Sequence, residues 1–136
     1  YAWLVWFIPL VIGSGGNSGT QTTTLIITGM ATGDVEISNW RQIVSREIAT
    51  GALLGIFLAV ISLVPALMLA PTVSAACIVP LTIFTVVLCG TFTGSILPML
   101  FQRLGWDPAL MSNPFVAGIN DISGIVIYLN IAQLIL

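Results

Sequence analysis

The sequence predicts an all-α integral membrane protein, a polytopic bundle of helices that cross the bilayer. Three observations support this prediction: 57% of the 136 residues are hydrophobic, 6% are charged, and the mean hydropathy is +1.10. A soluble domain carries about a quarter charged residues. Five acids, three bases and no histidine cannot cover the surface of a soluble protein of this size. The net charge of -2 also excludes the basic footprint of a nucleic-acid-binding protein, so no nucleic-acid partner is expected.

The first predicted span runs from Tyr1 to about Ala31. Its aromatic start is typical of a membrane interface. Every residue from Gly13 to Thr24 is either a glycine or carries a hydroxyl or amide group. At membrane depth such a polar band must face a bundle interior or a water-filled path. The alternative is close packing between helices through small residues, with the hydroxyls bonded back to backbone carbonyls.

The segment from Thr32 to Glu47 is predicted to be a polar loop that carries a surface helix, capped by Ser38 or Asn39. All three basic residues lie in the first and third connections between spans: Arg41, Arg46 and Arg103. Because two spans separate these connections, both lie on the same side of the membrane. The positive-inside rule places that side in the cytoplasm and the C-terminus outside.

The second predicted span runs from Ile48 to about Leu69, with Gly51 and Gly55 on a packing face. The third covers Cys77 to about Phe101, and its small, polar face is Gly90–Ser95. The chain contains no histidine and no nucleophile-elbow, zinc-protease or phosphate-loop motif, so an enzyme is not expected. Its two cysteines lie about 18 Å apart on one helix, too far for a disulfide bond.

The last span is predicted to start at Asn113 and Pro114, as N-cap and first-turn residue, and to end near Leu136. It contains one carboxylate, Asp121, and no base. A lone acid at membrane depth is costly unless a cation or water meets it. Asn113, Ala117 and Asp121 recur every four residues and therefore line one helical face about 12 Å long.

This face presents hard oxygen ligands, the type that suits Mg²⁺. Mg²⁺ usually binds through one or two carboxylates and keeps several waters, so one Asp121 per chain, doubled by a two-fold axis, suits a mostly hydrated ion. Alternatives stay open. The alternative for Asp121 is a protonated acid, or one hydrogen-bonded to a Ser or Thr of a neighbouring span. The alternative for Asn113 is a residue that serves only as a helix cap. Asp107 precedes Pro108 as a turn residue does, but it also lies where a peripheral cation site is possible.

Two stretches resemble a known family. Gly15-Gly16-Asn17-Ser18-Gly19-Thr20-Gln21 resembles the GGNxGxQ signature of the MgtE magnesium channels. Asp107-Pro108-Ala109-Leu110, Ser112-Asn113-Pro114 and Asp121-Ile122-Ser123-Gly124 resemble the DPAxxSxPxxxxxxDxxG pattern of the family's last transmembrane helix. The same relationship extends to the animal magnesium-transporting solute carriers. The resemblance covers essentially the whole chain.

The resemblance implies a homodimer of five-helix protomers in the lipid bilayer, whose second and fifth helices line one central Mg²⁺ pore. Residues 1–136 then form one pore domain holding helices two to five, with the first helix and the cytosolic N and CBS domains of relatives outside this chain. A bacterial inner membrane is the expected location. By motif match, Asp121 is the pore carboxylate, Asn17 and Gly13 line the pore from the second helix, and Asn113 and Ala117 lie on the fifth-helix face. Asp107 is similar to a family acid near the cytoplasmic mouth that takes part in gating.

The expected function is passive conduction of hydrated Mg²⁺, which is both the transported ion and the ligand. The alternative is a secondary transporter that exchanges a divalent cation for Na⁺ or H⁺ at Asp121, since glycine-rich, broken helices also occur in transporters. A third possibility is a non-conducting membrane subunit. Selectivity among Mg²⁺, Mn²⁺, Co²⁺ and Ca²⁺ does not follow from ligand type, because cavity size and retained water decide it.

Overall fold

The computed structural model describes every residue from Tyr1 to Leu136, and its regular structure is entirely helical. The elements are a 3-10 turn (Ala2–Phe7), α1 (Ile8–Thr32), a second 3-10 turn (Ile37–Asn39), α2 (Trp40–Leu69), the single turn α3 (Val73–Ala76), α4 (Ile78–Arg103) and α5 (Pro108–Ile135). Gly33 follows α1 with a φ of 85° and Gly105 follows α4 with a φ of 82°. Both are left-handed conformations that favour glycine, and they let the chain reverse.

The central helix is α4, which packs against α1, α2 and α5. α1 runs parallel to it, because Gly15 lies against Gly90 and Gly19 lies against Gly94. α2 and α5 run antiparallel to α4. The packing face predicted for the second span is confirmed, since Gly51 contacts Thr91 of α4 and Gly55 contacts Phe84. Both arginine-bearing connections therefore lie at the same end of the bundle, as predicted.

The apolar core has two parts. The larger lies toward the end away from the arginines and joins α1, α4 and α5 through side chains such as Val11, Ile83 and Tyr128. The smaller, Ile26, Val44 and Met99, lies toward the arginine-bearing end. The outward face of α2 is also apolar; its exposed side chains include Leu53, Phe57, Val60, Val64 and Met68. A helix that is apolar both on the side facing the core and on the side facing outward is typical of a bundle embedded in lipid.

Three helical segments are long and apolar enough to cross a membrane: Ile37–Leu69, Val73–Arg103 and Pro108–Ile135. They contain the second, third and last predicted spans. α1 falls outside this group because its polar band, Gly13–Thr24, lowers its apolar content. Its 25 residues still give a helix of about 37 Å, longer than the roughly 30 Å hydrocarbon core of a bilayer. α1 is continuous through the glycine-rich band.

A helix begins directly after Asn39, as predicted, but it is not a separate surface helix. Trp40 already belongs to α2, so the polar residues up to Glu47 are the first turns of the second span. Asn39 occupies the N-cap position, but its side chain makes no capping bond. The Ser38 hydroxyl is instead 3.4 Å from the Glu36 carboxylate. No glycine or proline interrupts Trp40–Thr50, so nothing separates the polar turns from the apolar ones.

Candidate functional site

Asp121 lies on α5 at the edge of its contact with α1, and its side chain is partly exposed. A Cβ atom placed on Gly16 of α1 would lie 3.2 Å from Oδ1 of Asp121. The carboxylate therefore faces a glycine of α1, which has no side chain. The nearby hydroxyls are directed elsewhere: Thr93 lies 2.8 Å from the Asn120 amide oxygen, and Ser123 donates to the Ile119 carbonyl at 2.6 Å. The hydroxyl bond from a neighbouring span that was considered for Asp121 is not formed.

Asn113, Ala117 and Asp121 lie on one continuous helix and are all partly exposed. The predicted start of this helix was wrong, since α5 begins six positions earlier, at Pro108. Asn113 is therefore not a helix cap. Pro114 lies inside the helix, where it removes one backbone hydrogen bond. The side-chain oxygen of Asn113 is buried and has no hydrogen-bond partner.

Asp107 occupies the N-cap of α5. Its carboxylate accepts the Ala109 backbone N–H at 2.9 Å, and Pro108 occupies the first helical position. Asp107 is exposed and lies at the arginine-bearing end of the bundle. Asp121 lies fourteen positions further along the chain, which corresponds to about 21 Å of helix rise. Asp107 and Asp121 are thus separate groups, and they do not form one site within a chain.

Gly13 and Asn17 lie on a groove of about 440 Å³ between α1 and α2. The groove is lined by Pro9, Leu10, Gly13, Ser14, Asn17, Ser18, Gln21, Leu54 and Leu58. Asn17 is exposed, and no neighbouring atom lies within 4 Å of a Cβ placed on Gly13. Asp121 does not line this groove. Within one chain the polar band meets the last span on its other side, at Gly15, Gly16 and Gly19.

The other glycines of the band pack against α4. A Cβ on Gly15 would lie 3.3 Å from the Val86 carbonyl oxygen, and one on Gly94 would lie 3.0 Å from the Gly19 carbonyl carbon. The Thr23 hydroxyl donates to the Gly94 carbonyl at 3.1 Å. The small-residue packing considered for the band is confirmed for Gly15 and Gly19 and does not extend to Gly13.

One buried polar residue was missed by the sequence reasoning. Asn120 is 3% exposed, and its amide contacts Thr93 of α4 and the Gly15 carbonyl of α1. Its sequence signal is an amide next to Asp121 in an apolar helix. An amide at membrane depth requires internal partners, so that signal was sufficient to single it out.

The arrangement offers one partly exposed carboxylate on α5, and an exposed amide, Asn17, and a glycine, Gly16, on α1. No group of three or more His, Cys, Asp or Glu side chains is close enough to hold a metal ion. A single chain therefore does not have enough charged ligands in one place to replace the water molecules bound to a cation. What it offers are oxygen acceptors, which can receive hydrogen bonds from the water molecules of a hydrated cation.

Comparisons with known proteins point to one family. The family model MgtE, described as a divalent cation transporter, matches residues 8–131. Three curated relatives carry the name Magnesium transporter MgtE. The Thermus thermophilus protein is 38% identical over 138 residues, which cover 98% of this chain and 29% of the relative. The Enterococcus faecalis protein is 28% identical (94% of this chain, 28% of the relative), and the Bacillus subtilis protein is 29% identical (95% and 29%).

The chain spans less than a third of the length of these relatives. Their names describe transporters and not enzymes. The match to the family model covers nearly the whole chain, including the glycine-rich band of α1 and the Asp121 segment of α5. This chain belongs to the MgtE family of divalent cation transporters.

Proposed function

We propose that this chain forms the ion pathway of a Mg²⁺ channel, in which hydrated Mg²⁺ passes the carboxylate of Asp121. The observation that supports this proposal is the placement of Asp121 over Gly16, on a partly exposed edge of the bundle. A carboxylate at that depth is stabilised by a passing cation and its water. A glycine beneath it leaves the backbone open to the same water.

We propose further that two copies of the chain enclose the pathway. Gly13, Asn17, Asn113 and Ala117 lie on faces that a single chain leaves partly or fully exposed. The amide of Asn17 is unsuited to lipid, and Gly13 and Ala117 are small enough for another helix to approach closely, so these faces suit contact with a second copy. A two-fold axis also doubles the single Asp121, which gives two charges against one Mg²⁺. In the membrane, the arginine-bearing end faces the cytoplasm.

Passive conduction is favoured over exchange with Na⁺ or H⁺. Secondary transporters commonly bind their ions at broken helices near the bilayer midplane. α1 is instead continuous through its glycine-rich band. The names of the relatives, all magnesium transporters, favour Mg²⁺ as the ion.

The test is current measurement on the full-length protein in planar bilayers, with a MgCl₂ gradient across the membrane. A passive channel gives a reversal potential set by Mg²⁺ alone, whereas an exchanger gives one that shifts with the pH or Na⁺ gradient. Asp121→Asn keeps the size of the side chain and removes its charge, and we expect it to reduce the Mg²⁺ current at least tenfold, roughly the loss of 1.4 kcal/mol of ion stabilisation.

The matched control is Asp34→Asn. Asp34 is an exposed loop acid that accepts a bond from Thr32, and its loss leaves the bundle intact. We expect wild-type current from this variant. Wild-type current from Asp121→Asn would contradict the role proposed for this carboxylate, and the absence of current from the wild-type protein would favour a non-conducting role for the chain.

A further inference from the structure

The side chain of Asn120 joins three helices. It lies on α5 and is 3% exposed. Its amide oxygen is 2.8 Å from the hydroxyl of Thr93 on α4, and its amide nitrogen is 3.5 Å from the carbonyl oxygen of Gly15 on α1. The Thr93 hydroxyl donates and the Gly15 carbonyl accepts, so the two ends of one amide are used by two different helices.

The glycines of α1 make room for this amide. A Cβ atom on Gly19 would overlap the Asn120 amide nitrogen, and a Cβ on Gly16, in the same stretch, would be 3.2 Å from the Asp121 carboxylate. Two adjacent side chains of α5 thus contact the same part of α1. Asn120 contacts Gly15 and Gly19, and Asp121 contacts Gly16. No side chain of α1 separates either of them from the helix backbone.

The position of Asn120 fixes that of Asp121. Adjacent residues on an α-helix are about 100° and 1.5 Å apart, so a helix held at one residue is held at the next. Apolar side chains permit small rotations and shifts because dispersion forces have little directionality, whereas hydrogen bonds are directional. A buried amide with partners on two helices therefore specifies one rotation and one depth of α5.

We propose that Asn120, held by Thr93 and the Gly15 carbonyl, is a positioning residue that sets where the Asp121 carboxylate lies in the ion pathway. The inference rests on the proposed function of Asp121. Asn120 does not meet the ion; it acts by holding α5.

Thr93 allows this bond to be removed with little change in shape. Its hydroxyl has one hydrogen and three acceptors in reach: the Asn120 oxygen, the Cys89 carbonyl at 2.9 Å and the Gly90 carbonyl at 3.1 Å. Thr93→Val removes the donor and keeps the branched shape, and Thr93→Ser keeps the donor. The matched control is Thr85→Val, since the Thr85 hydroxyl donates only to Leu81 of its own helix, at 2.8 Å.

The experiment measures initial Mg²⁺ uptake by the full-length protein against external Mg²⁺ concentration, normalised to the amount of protein in the membrane. For Thr93→Val we expect the half-saturating concentration to rise about threefold, the factor that corresponds to roughly 0.6 kcal/mol for one interhelical hydrogen bond. Thr93→Ser is expected to restore the wild-type value, and Thr85→Val to keep it. A purely structural role lowers the amount of protein or the maximal rate and leaves the half-saturating concentration unchanged.

An unchanged half-saturating concentration in Thr93→Val overturns the inference. Asp121→Asn, run in parallel, separates the two proposals. Normal uptake by Asp121→Asn refutes the function proposed for Asp121. Impaired uptake by Asp121→Asn, together with an unchanged half-saturating concentration in Thr93→Val, refutes only the role of Asn120. Should Thr93→Val fail to reach the membrane, Asn120→Ser, which shortens the bridging side chain, takes its place. The same outcomes then support or overturn the inference.

Discussion

Gly94→Ala tests how closely α1 and α4 approach. An alanine Cβ at this position would overlap the Gly19 carbonyl oxygen and would lie 3.0 Å from its carbon and 3.1 Å from the Gly19 Cα. Ordinary contacts begin at 3.4 Å, and the atoms met are backbone rather than the end of a flexible side chain. The two helices must therefore move apart by several tenths of an ångström. The Thr23 hydroxyl bond to the Gly94 carbonyl is strained at the same time.

The magnitude follows from these two effects. Overpacking costs about 1–3 kcal/mol, and an interhelical hydrogen bond in a membrane contributes about 0.6 kcal/mol. Replacing glycine by alanine inside a helix also stabilises it by up to about 1 kcal/mol, so the comparison requires a second glycine that gains the same propensity. Gly118 is that control, because it lies inside α5, is exposed, and a Cβ there meets no atom within 4 Å.

We expect Gly94→Ala to be less stable than Gly118→Ala by about 2–3 kcal/mol. The assay is the free energy of unfolding of the full-length protein in detergent micelles, followed by circular dichroism against denaturant concentration. Equal stability of the two variants would refute the reasoning, since it would mean that the α1–α4 contact tolerates a methyl group.

Three further predictions follow from the geometry. Gly16→Ala places a methyl group 3.2 Å from the Asp121 carboxylate, and a small shift of that side chain relieves the contact. We therefore expect a free energy of unfolding within about 1 kcal/mol of wild type and a reduced Mg²⁺ current. An unaltered current would argue against a role for Gly16. Asp107→Ala removes the side-chain cap of α5, and we expect it to lower the free energy of unfolding by about 1 kcal/mol. Asp107→Ser retains a capping hydroxyl and is expected to retain that stability. A transport defect in the serine variant would indicate that Asp107 has an ionic role in addition to capping. Cys77 and Cys89 are both free, and we expect mild oxidation to leave them without an intramolecular disulfide, as checked by intact mass after alkylation.

The sequence allowed the number of long helices and most of their extents to be predicted, because apolar runs of bilayer length are a strong signal. The start of α5 was misplaced because two Asx-Pro pairs, Asp107-Pro108 and Asn113-Pro114, both match the pattern of a helix N-terminus. The first pair forms the cap, since the Asp107 carboxylate reaches the Ala109 N–H. Local sequence does not distinguish the two pairs, because a proline early in a long helix removes only one bond.

The candidate site was predicted only in part. Helical spacing shows which residues share one face of a helix, but it does not show which other helix packs against that face. The four-residue interval of Asn113, Ala117 and Asp121 sufficed to place them on one side of α5. The same rule does not state which turn of α1 meets Asp121, since that depends on the tertiary packing of α1, α4 and α5. The sequence was sufficient to mark Asn120 as a buried amide that requires partners, but not to identify those partners, Thr93 and Gly15, which are remote from it in the sequence.

α4 contributes none of the candidate ion-binding residues, yet it sets the distances between those that do. α1 approaches it through Gly15 and Gly19, where backbone meets backbone. α5 is joined to it by the bond between Asn120 and Thr93. The separation of Asp121 from the turn at Gly16 is therefore the outcome of two contacts that α4 makes, one with each partner helix. A substitution on α4 that widens either contact moves the carboxylate without touching it, so the geometry of the candidate site on α1 and α5 depends on the surface of α4.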